Sequence, residues 1–473
     1  MTDERLDPAV RRLVAVVLLG GVMGILDGSM IAVANTTLAD RFHAALTSVG
    51  WVTTGYLLAL TVTIPVTAWA VDRFGARRLW LFGLGLFLAG SLAAGLSWNL
   101  AALVVFRLVQ GAGAGIVDPL MPTLLARAAG PARAGRVMGL MGLVGSLGPV
   151  AGPVVGGLLL QHLDWRWMLL VNLPIGVTAF VLARRMLPAD ARPERPARLD
   201  LTGLALVAPG VAAVVFGLSR VTAREAHGTW AVLLPPAVGL ALLAGYAAHA
   251  RRRRDTPPLI QPGLFRHRDF TVSIAVVLLV GLGTFGSLFL VPLYYQEVRG
   301  HGASAAGMLL APLGLGSALA MPIAGRLSDR FGTRRLSLIG GCVAVAGAAA
   351  FAPVGADTPV AWPVAASFAI GAGLGGASAP AIGTVFRTLP PELVAQGSSV
   401  LYMLNQLGAA LGVATCALFV QAAGDPLTGI HAGAWWLTAT SVLMLAVAPL
   451  LPGRPRVTAP APAAERATQG SAG

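Results

Sequence analysis

Residues 145–157 of the chain read Gly-Ser-Leu-Gly-Pro-Val-Ala-Gly-Pro-Val-Val-Gly-Gly and lie in the middle of a long apolar stretch. Glycines at every third or fourth position line one face of a helix, and small residues let membrane helices approach closely. The two prolines remove backbone donors and bend a helix. The stretch predicts a kinked, grooved spanning helix, as expected where two helix bundles move against each other. Its key residues are Gly145, Gly148, Pro149, Gly152, Pro153, Gly156 and Gly157.

The composition around this stretch indicates a polytopic, all-α membrane protein. Of 473 residues, 56% are hydrophobic and only 11% are charged, whereas about a quarter of a soluble protein is charged. The net charge of +14 comes from clusters between apolar runs, so no nucleic-acid partner is expected.

All 34 basic residues are arginines, and the phosphate-binding loop of ATPases needs a lysine. ATP is therefore not expected to drive this chain. No metal-ligand, hydrolytic or redox constellation is evident in the sequence, so we expect no metal, no cofactor and no enzymatic activity.

Fourteen apolar stretches have about the 20 residues that a bilayer span needs. They cover residues 12–33, 48–70, 79–97, 101–125, 137–160, 168–186, 202–219, 230–249, 270–293, 304–325, 337–354, 361–386, 398–421 and 432–451. Of the 34 arginines, 28 lie in tails and loops on one side, five lie on the other side, and Arg107 lies inside a span. Basic loops stay in the cytoplasm, so both termini are expected there. Exclusive use of arginine and abundant Ala and Gly favour a bacterial source with a GC-rich genome. We therefore expect the protein to lie in the bacterial inner membrane.

One loop sequence occurs twice. Asp72-Arg73-Phe74-Gly75-Ala76-Arg77-Arg78-Leu79 returns 257 residues later as Asp329-Arg330-Phe331-Gly332-Thr333-Arg334-Arg335-Leu336. Each copy joins the second and third spans of a six-span unit, and repeated six-span halves with a site between them are a known transporter plan. The predicted divisions are 1–11 (cytoplasmic N-terminus), 12–186 (N-terminal six-helix bundle), 187–269 (linkers and two inserted helices), 270–451 (C-terminal six-helix bundle) and 452–473 (disordered cytoplasmic tail).

Several motifs resemble those of the major facilitator superfamily, and within it the fourteen-span drug:proton antiporters. They are the loop 72–78, the fourth-span arginine motif 106–111, the fifth-span antiport motif 148–157 and the signature 164–176. The resemblance covers residues 12–451 and implies two six-helix bundles plus two inserted helices. The chain departs from the pattern at Ala32, where asparagine is usual, and at Asp118, where an apolar residue is expected.

Three formal charges lie deep in the predicted spans: Asp27, Arg107 and Asp118. A charge at a membrane-helix centre costs about 2.5–3.5 kcal/mol on insertion scales, so such residues are functional by default. The helix rise places Asp27 of span 1 and Arg107 of span 4 at similar depth. We expect Asp27 to be the proton-coupled carboxylate with Arg107 as its partner. A static ion pair that joins the two spans is the alternative.

Asp118 follows Arg107 by eleven residues, close to three helical turns, and so lies on the same face about 16 Å nearer the cytoplasm. One interpretation is a second proton site or a counter-ion for a cationic substrate. The other is a carboxylate that reaches the inner interface near Pro119 and Pro122 and binds loop arginines.

The repeated loops are expected to be gating contacts. Glycine permits a tight turn, and acidic residues bind helix N-termini or arginines. The resemblance implies that such loops clamp the cytoplasmic face. The alternative is that their arginines only set topology. The residues are Asp72, Arg73, Gly75, Arg77, Asp329, Arg330, Gly332 and Arg334.

Polar and aromatic residues within the spans are candidates for a substrate cavity. Those selected are Gln110, Phe285, Tyr294, Tyr402, Asn405 and Gln406. Interhelical hydrogen bonds are the alternative for the amides, and packing or an interfacial belt is the alternative for the aromatic residues.

Together these features predict a proton-driven exporter of small amphipathic molecules, cationic ones included, with the proton as coupling ion. A first alternative is a dedicated exporter of one metabolite or self-made antibiotic. A second is a membrane receptor that kept the fold and lost transport, which the intact fifth-span motif and intramembrane charges disfavour.

Overall fold

The computed structural model describes residues 7–130, 133–190, 199–222, 229–252 and 258–453, and every regular element within these ranges is helical. The rest of the predicted tails and linkers lies outside the described residues. In chain order the α-helices are α1 Pro8–Met30, α2 Asn35–Phe42, α3 Leu46–Phe74, α4 Ala76–Gly95, α5 Leu100–Ala129, α6 Ala134–His162, α7 Trp167–Leu170, α8 Asn172–Met186, α9 Leu201–Thr222, α10 Thr229–Arg252, α11 Arg268–Leu293, α12 Ala303–Leu309, α13 Ala311–Phe331, α14 Thr333–Phe351, α15 Ala361–Thr388, α16 Val394–Ala422 and α17 Pro426–Val447.

The helices are long and apolar enough for a polytopic membrane protein, which confirms the predicted class. Within the described residues, thirteen helical stretches satisfy the length and hydropathy of a span, and α6 adds the shorter apolar stretch Ala134–Gly148. The predicted sixth span is formed by α7 and α8 together. The predicted tenth span combines α12 with α13. Each of the fourteen predicted spans therefore falls on one helix or, for the sixth and tenth, on two consecutive helices.

The two repeated loops have the same backbone conformation. Gly75 has φ 91° and ψ 153°, and Gly332 has φ 90° and ψ 154°. A positive φ of this size is costly for any residue with a side chain, so each glycine allows two long helices to meet at a single residue. The predicted tight turn is confirmed in both copies.

The helices pack in two sets that follow the repeat. In the first set α3 and α4 pack on α5, and α1 packs on α6 and α8. In the second set α13 and α14 pack on α15, and α11 packs on α16 and α17. The inserted helices α9 and α10 lie against each other, and α9 also contacts α3 and α16. The insertion thus touches both sets.

One end of the bundle carries most of the arginines. We call this the arginine-rich end; it contains the connections α3–α4, α5–α6, α13–α14 and α15–α16, and the other end is the arginine-poor end. At the arginine-poor end, Asp425 caps α17 by accepting hydrogen bonds from the backbone N–H groups of Leu427 and Thr428. The Thr428 hydroxyl and these N–H groups lower the pKa of Asp425.

The two sets meet closely through α6 and α13. A Cβ built on Gly139 would lie 2.6 Å from the Met321 carbonyl oxygen, and one on Gly135 would lie 2.6 Å from that of Gly325. Only glycine allows the backbones to approach so closely. These glycines precede the predicted ridge and lie on the half of α6 nearer the arginine-rich end.

The prediction that the ridge 145–157 forms the contact between the two sets is wrong for its central glycines. Gly148, Gly152 and Gly156 pack against α1, within the first set, and the Ser29 hydroxyl donates to the Gly148 carbonyl oxygen at 3.1 Å. A Cβ on Gly145 or Gly157 would meet nothing within 4 Å. Helical spacing shows which residues share a face, but it does not identify the helix that covers that face. The side chains of Pro149 and Pro153 lie outside the described residues.

Candidate functional site

A buried ion pair joins α1 to α5. Arg107 Nη1 donates to Asp27 Oδ2, and the two side chains are 0% and 1% exposed. A buried charge left without a partner is strongly destabilising, so the burial of each side chain depends on the presence of the other. The predicted pairing of these two residues is confirmed.

The carboxylate of Asp27 is surrounded by hydrogen-bond donors. Its Oδ1 accepts from Gln110 Nε2 at 3.0 Å and from Asn172 Nδ2 at 2.8 Å. Arg107 also donates to Gln110 Oε1 at 2.7 Å, and both amide groups donate to the Ser91 hydroxyl. We call Asp27, Ser91, Arg107, Gln110 and Asn172 the Asp27 cluster; all of its members are buried.

Gln110 was predicted to line the substrate cavity, and that prediction is wrong. Its side chain is fully buried and contacts Asp27 and Arg107. Gln110 follows Arg107 by three residues and therefore lies on the same face of α5. Asn172 and Ser91 were missed altogether. An amide inside an apolar span is costly to bury, so Asn172, which lies in the quoted signature 164–176, was the detectable signal.

Tyr56 of α3 covers the Arg107 side of the cluster. The guanidinium carbon of Arg107 lies 4.2 Å from the centre of the Tyr56 ring, which is a cation–π distance. The Tyr56 hydroxyl donates to the Gly24 carbonyl oxygen at 3.3 Å. Arg107 Nε donates to the Val52 carbonyl oxygen, one turn earlier on α3. Arg107, which lies on α5, is therefore held by α1 and α3.

A cavity of about 250 Å³ lies between the two sets of helices. Its wall includes Ile25 and Met121 from the first set and Val280, Phe285 and Leu374 from the second. Most of the wall is apolar. Among the described residues that line it, Asp118 is the single charged side chain. The cavity therefore has the character of a site for an apolar molecule, with a few polar groups and one charged anchor.

Four of the predicted cavity residues line this space. Phe285 lies on α11, and Tyr402, Asn405 and Gln406 share one face of α16. Tyr294 does not line it. Its side chain is fully buried at the arginine-poor end of α11, and its hydroxyl donates to the Gly355 carbonyl oxygen at 2.9 Å.

Asp118 is partly exposed to the cavity and makes no hydrogen bond or ion pair within the described part of the chain. The interpretation in which loop arginines bind it is not supported by this arrangement. Asp118 remains available to a ligand.

The second repeated loop joins the two sets of helices at the arginine-rich end. Asp329 accepts hydrogen bonds from the backbone N–H groups of Gly135 at 3.2 Å and Arg136 at 3.0 Å, in the first turn of α6. First-turn N–H groups have no partner within their own helix. Arg387 Nη1 also donates to Asp329 at 2.8 Å. We call this contact the Asp329 clamp.

The first copy is used differently. Asp72 is exposed and makes no hydrogen bond within the described residues. The N-terminus of α4 is capped instead by Asp190, which accepts from the backbone N–H groups of Arg77 and Arg78 at 2.9 and 3.0 Å. The sequence repeat therefore predicts the fold of both loops, but only the second one bridges the two sets in this structure.

The remaining loop arginines have modest contacts. Arg73 is exposed, and the guanidinium carbon of Arg330 lies 5.4 Å from the centre of the Phe331 ring. Arg334 Nε donates to the Leu451 carbonyl oxygen at 3.0 Å, and Arg77 donates to the Arg184 carbonyl oxygen.

The family model of the Major Facilitator Superfamily matches residues 17–413 of this chain. The chain is 39% identical over 414 residues to the Multidrug resistance protein B homolog of Mycobacterium tuberculosis (strain ATCC 25618 / H37Rv), covering 87% of this chain and 76% of that protein. It is 33% identical over 409 residues to Puromycin resistance protein pur8 of Streptomyces alboniger, covering 84% and 79%.

Among solved structures, the chain resembles the human organic anion transporter MFSD10 (TETRAN). The TM-score is 0.65 at 16% identity, over 93% of this chain and 100% of that chain. At such low identity the likeness concerns the fold alone.

Proposed function

Because the chain belongs to the Major Facilitator Superfamily, we propose that it is a proton-coupled antiporter that exports amphipathic drugs or other toxic small molecules by alternating access. The observation that carries the proposal is the cavity between the two sets of helices, apolar except for a few polar groups and one carboxylate. The relatives named for multidrug and puromycin resistance support the same substrate class.

The cavity suits a lipophilic cation. Asp118 supplies a carboxylate without a hydrogen-bond or ion-pair partner among the described residues, and Phe285 and Tyr402 supply aromatic surface. A cation over an aromatic face gains about 0.5–2 kcal/mol, and a desolvated charge pair adds attraction that water does not screen. Neutral molecules would keep the apolar contacts and lose the attraction to Asp118.

The Asp27 cluster is suited to couple a proton to movement. The three groups that contact the Asp27 carboxylate are N–H groups of Arg107, Gln110 and Asn172, which donate hydrogen bonds and cannot accept one from a protonated carboxyl group. A protonated Asp27 carries an O–H group, which faces a donor in this arrangement. Protonation therefore requires at least one partner to move, and those partners lie on α5 and α8. Arg107 would then need a new partner for its buried charge.

The energy available is sufficient for useful export. One charge that crosses a membrane potential of about 100 mV releases about 2.3 kcal/mol. That energy sustains a gradient of about 50-fold, since about 1.36 kcal/mol corresponds to a factor of ten.

The proposed orientation follows from the charges. The arginine-rich end would face the cytoplasm of a bacterial inner membrane, by the rule for basic loops. The Asp329 clamp lies at this end and holds α6 to α13. Release of the clamp would open the cavity to the cytoplasm, so that drug loading and proton release occur on that side.

A dedicated exporter of one antibiotic is the second candidate. The relative named for puromycin resistance favours it, because the name refers to a single compound. The fold and the Asp27 cluster would be the same in a multidrug exporter and in a dedicated exporter. The two candidates differ in how many compounds the cavity accepts.

Expression in an efflux-deficient bacterial host, tested against a panel of unrelated compounds, separates the two candidates. Resistance to many compounds indicates a multidrug exporter, and resistance to one indicates a dedicated exporter. In proteoliposomes with an imposed pH gradient, Asp27→Asn is expected to lower coupled efflux at least tenfold. Asp40→Asn, an exposed carboxylate on α2, is the control. Full coupled efflux by Asp27→Asn would overturn the proton assignment.

A further inference from the structure

The wall that α6 contributes to the cavity contains a glycine with no side chain packed against it. Gly145 lines the cavity and is exposed, and a Cβ built on it would meet no atom within 4 Å. The glycines three residues before and after it are covered. A Cβ on Gly142 would overlap the Met321 side chain of α13, and a Cβ on Gly148 would overlap the Ile25 side chain of α1. Gly145 therefore lies between the part of α6 that α13 covers and the part that α1 covers.

The two covering side chains form the edges of a notch over Gly145. Met321 and Ile25 both line the same cavity, and the glycines that they cover are six residues apart, about 9 Å along a helix axis. We call the space over Gly145, between Met321 and Ile25, the Gly145 notch. Its floor is bare helix backbone and its edges are apolar.

Met321 is enclosed at its edge of the notch. The Ser146 hydroxyl lies 3.3 Å from Met321 Sδ and 2.7 Å from the Ser317 hydroxyl. On the α15 side, a Cβ built on Gly375 would lie 3.0 Å from Met321 Cγ. Met321 is thus packed between α6 and α15. A thioether makes favourable contacts with aromatic rings, so this edge of the notch suits an aromatic ligand.

We propose that the Gly145 notch receives a flat aromatic ring of the exported compound, which makes Gly145 a specificity-determining residue for polycyclic aromatic cations. This inference rests on the proposed function and deepens it by naming a substrate class. Asp118 binds the cationic group in the same cavity. A planar ring that lies on the bare backbone buries its apolar surface, and a side chain at position 145 would occupy that space.

The empty surroundings of Gly145 separate a substrate role from a structural one. Small residues in membrane helices usually let another helix approach, as Gly142 and Gly148 do here. At Gly145 no described atom lies close enough to require a glycine. A larger side chain there therefore enters the cavity, and we expect it to change binding without changing the packing of the helices.

Two matched series of substitutions test the inference. Gly145→Ala, Gly145→Val and Gly145→Leu fill the notch by increasing amounts. Gly157→Ala, Gly157→Val and Gly157→Leu are the controls. Gly157 lies on the same helix, a Cβ built on it also meets no atom within 4 Å, and it is not among the residues that line the cavity.

Binding of two cations to the purified full-length protein is measured by isothermal titration calorimetry. Ethidium is a planar polycyclic aromatic cation, and tetrabutylammonium is a lipophilic cation without a ring. The unsubstituted protein should bind both. We expect the dissociation constant for ethidium to rise about threefold in Gly145→Ala and at least about tenfold in Gly145→Leu, because overpacking costs more as the inserted side chain grows. Tetrabutylammonium should stay within about threefold throughout, since it keeps the attraction to Asp118.

The Gly157 series should match the unsubstituted protein with both cations, and thermal unfolding midpoints should agree between the two series. Unchanged ethidium binding in Gly145→Leu overturns the inference. An equal loss of both cations overturns it as well, because Gly145 would then affect the whole cavity. A lower unfolding midpoint in the Gly145 series alone would show a structural role instead. A failure of the proposed function is distinguishable, since the unsubstituted protein itself would then bind neither cation.

Discussion

At the scale of single residues, the Asp27 cluster shows how a buried carboxyl group is surrounded by hydrogen-bond donors in an apolar bundle. Arg107 supplies the opposite charge, and the amides of Gln110 and Asn172 occupy the other carboxylate oxygen. The motif residues Asp27 and Arg107 were predictable, since any charge inside a span is conspicuous. Asn172 was less conspicuous because an amide carries no formal charge, and its side chain approaches Asp27 only through the packing of α8 against α1.

Asn172→Leu is expected to lower proton-coupled efflux about tenfold or more. The substitution removes the 2.8 Å hydrogen bond to Asp27, and a bond to a charged group is worth about 1.5–3 kcal/mol. Efflux from proteoliposomes at several pH values checks the prediction. Thr178→Val on the same helix is the control, since its exposed hydroxyl donates only to the Pro174 carbonyl oxygen. Equal activity of the two variants would contradict the role of Asn172.

Asp118→Asn is expected to weaken the binding of lipophilic cations about tenfold and to leave the binding of neutral compounds within twofold. The reason is that Asp118 is the single charge on the described wall of the cavity. Binding of matched cationic and neutral dyes to the purified protein provides the measurement. A parallel loss for both kinds of dye would show that Asp118 acts on the shape of the cavity and not on charge.

At the scale of helices, the glycines of α6 divide into two groups with different partners. Gly135, Gly139 and the following turn face α13, whereas Gly148, Gly152 and Gly156 face α1. Only the second group was predicted from the sequence, because glycines three or four residues apart share a face; the first group was not singled out. Their partners were not predictable, since the face of α6 turned toward α13 and the face turned toward α1 carry equally small residues.

Gly152→Ala is expected to destabilise the protein by about 1–3 kcal/mol, the usual cost of overpacking. Its Cβ would press on the Ser29 hydroxyl and lie 3.1 Å from the Leu26 carbonyl oxygen. Gly157→Ala, on the same helix and facing open space, should change stability by less than about 0.5 kcal/mol. Thermal unfolding of the detergent-solubilised variants checks this pair, and similar midpoints would contradict the packing of α6 on α1.

At the scale of the whole molecule, the two halves repeat each other in backbone but not in contacts. Both loops turn at a glycine of positive φ. Asp329 reaches the first turn of α6 in the other half, while Asp72 makes no such bond and Asp190 caps its loop. A transporter that alternates between two states needs contacts that form in one state and break in the other, and the Asp329 clamp is the contact that we propose for this role.

Asp329→Asn is expected to shift the molecule toward opening at the arginine-rich end by at least about tenfold in population. It weakens hydrogen bonds to a charged group, each worth about 1.5–3 kcal/mol. Asp72→Asn is the matched control and should leave the distribution unchanged. Distances between spin labels at the exposed positions Arg12 and Arg326, one in each half, report the opening. An equal shift in both variants would show that the loops act through net charge alone.

The sequence by itself determined the class, the number of spans, the repeat and the intramembrane charges. These follow from local properties of the chain: apolar length, the side on which arginines lie, and the cost of a charge in a bilayer. Four of the six candidate cavity residues also lie where they were expected.

Only the tertiary structure decided which helix covers each glycine face, that Gln110 and Asn172 donate hydrogen bonds to Asp27, and that Tyr56 packs on Arg107 and bonds to Gly24. The physical reason is that these contacts join residues 32 to 145 positions apart on helices whose rotation about their own axes is set by packing. Periodicity along one helix carries no information about that rotation. The glycine and proline stretch at 145–157 therefore predicted a closely packed helix, whereas the glycine contacts that join the two sets belong to the turns of α6 before it. Within the stretch, Ser146 also contacts α13, with its hydroxyl 2.7 Å from that of Ser317.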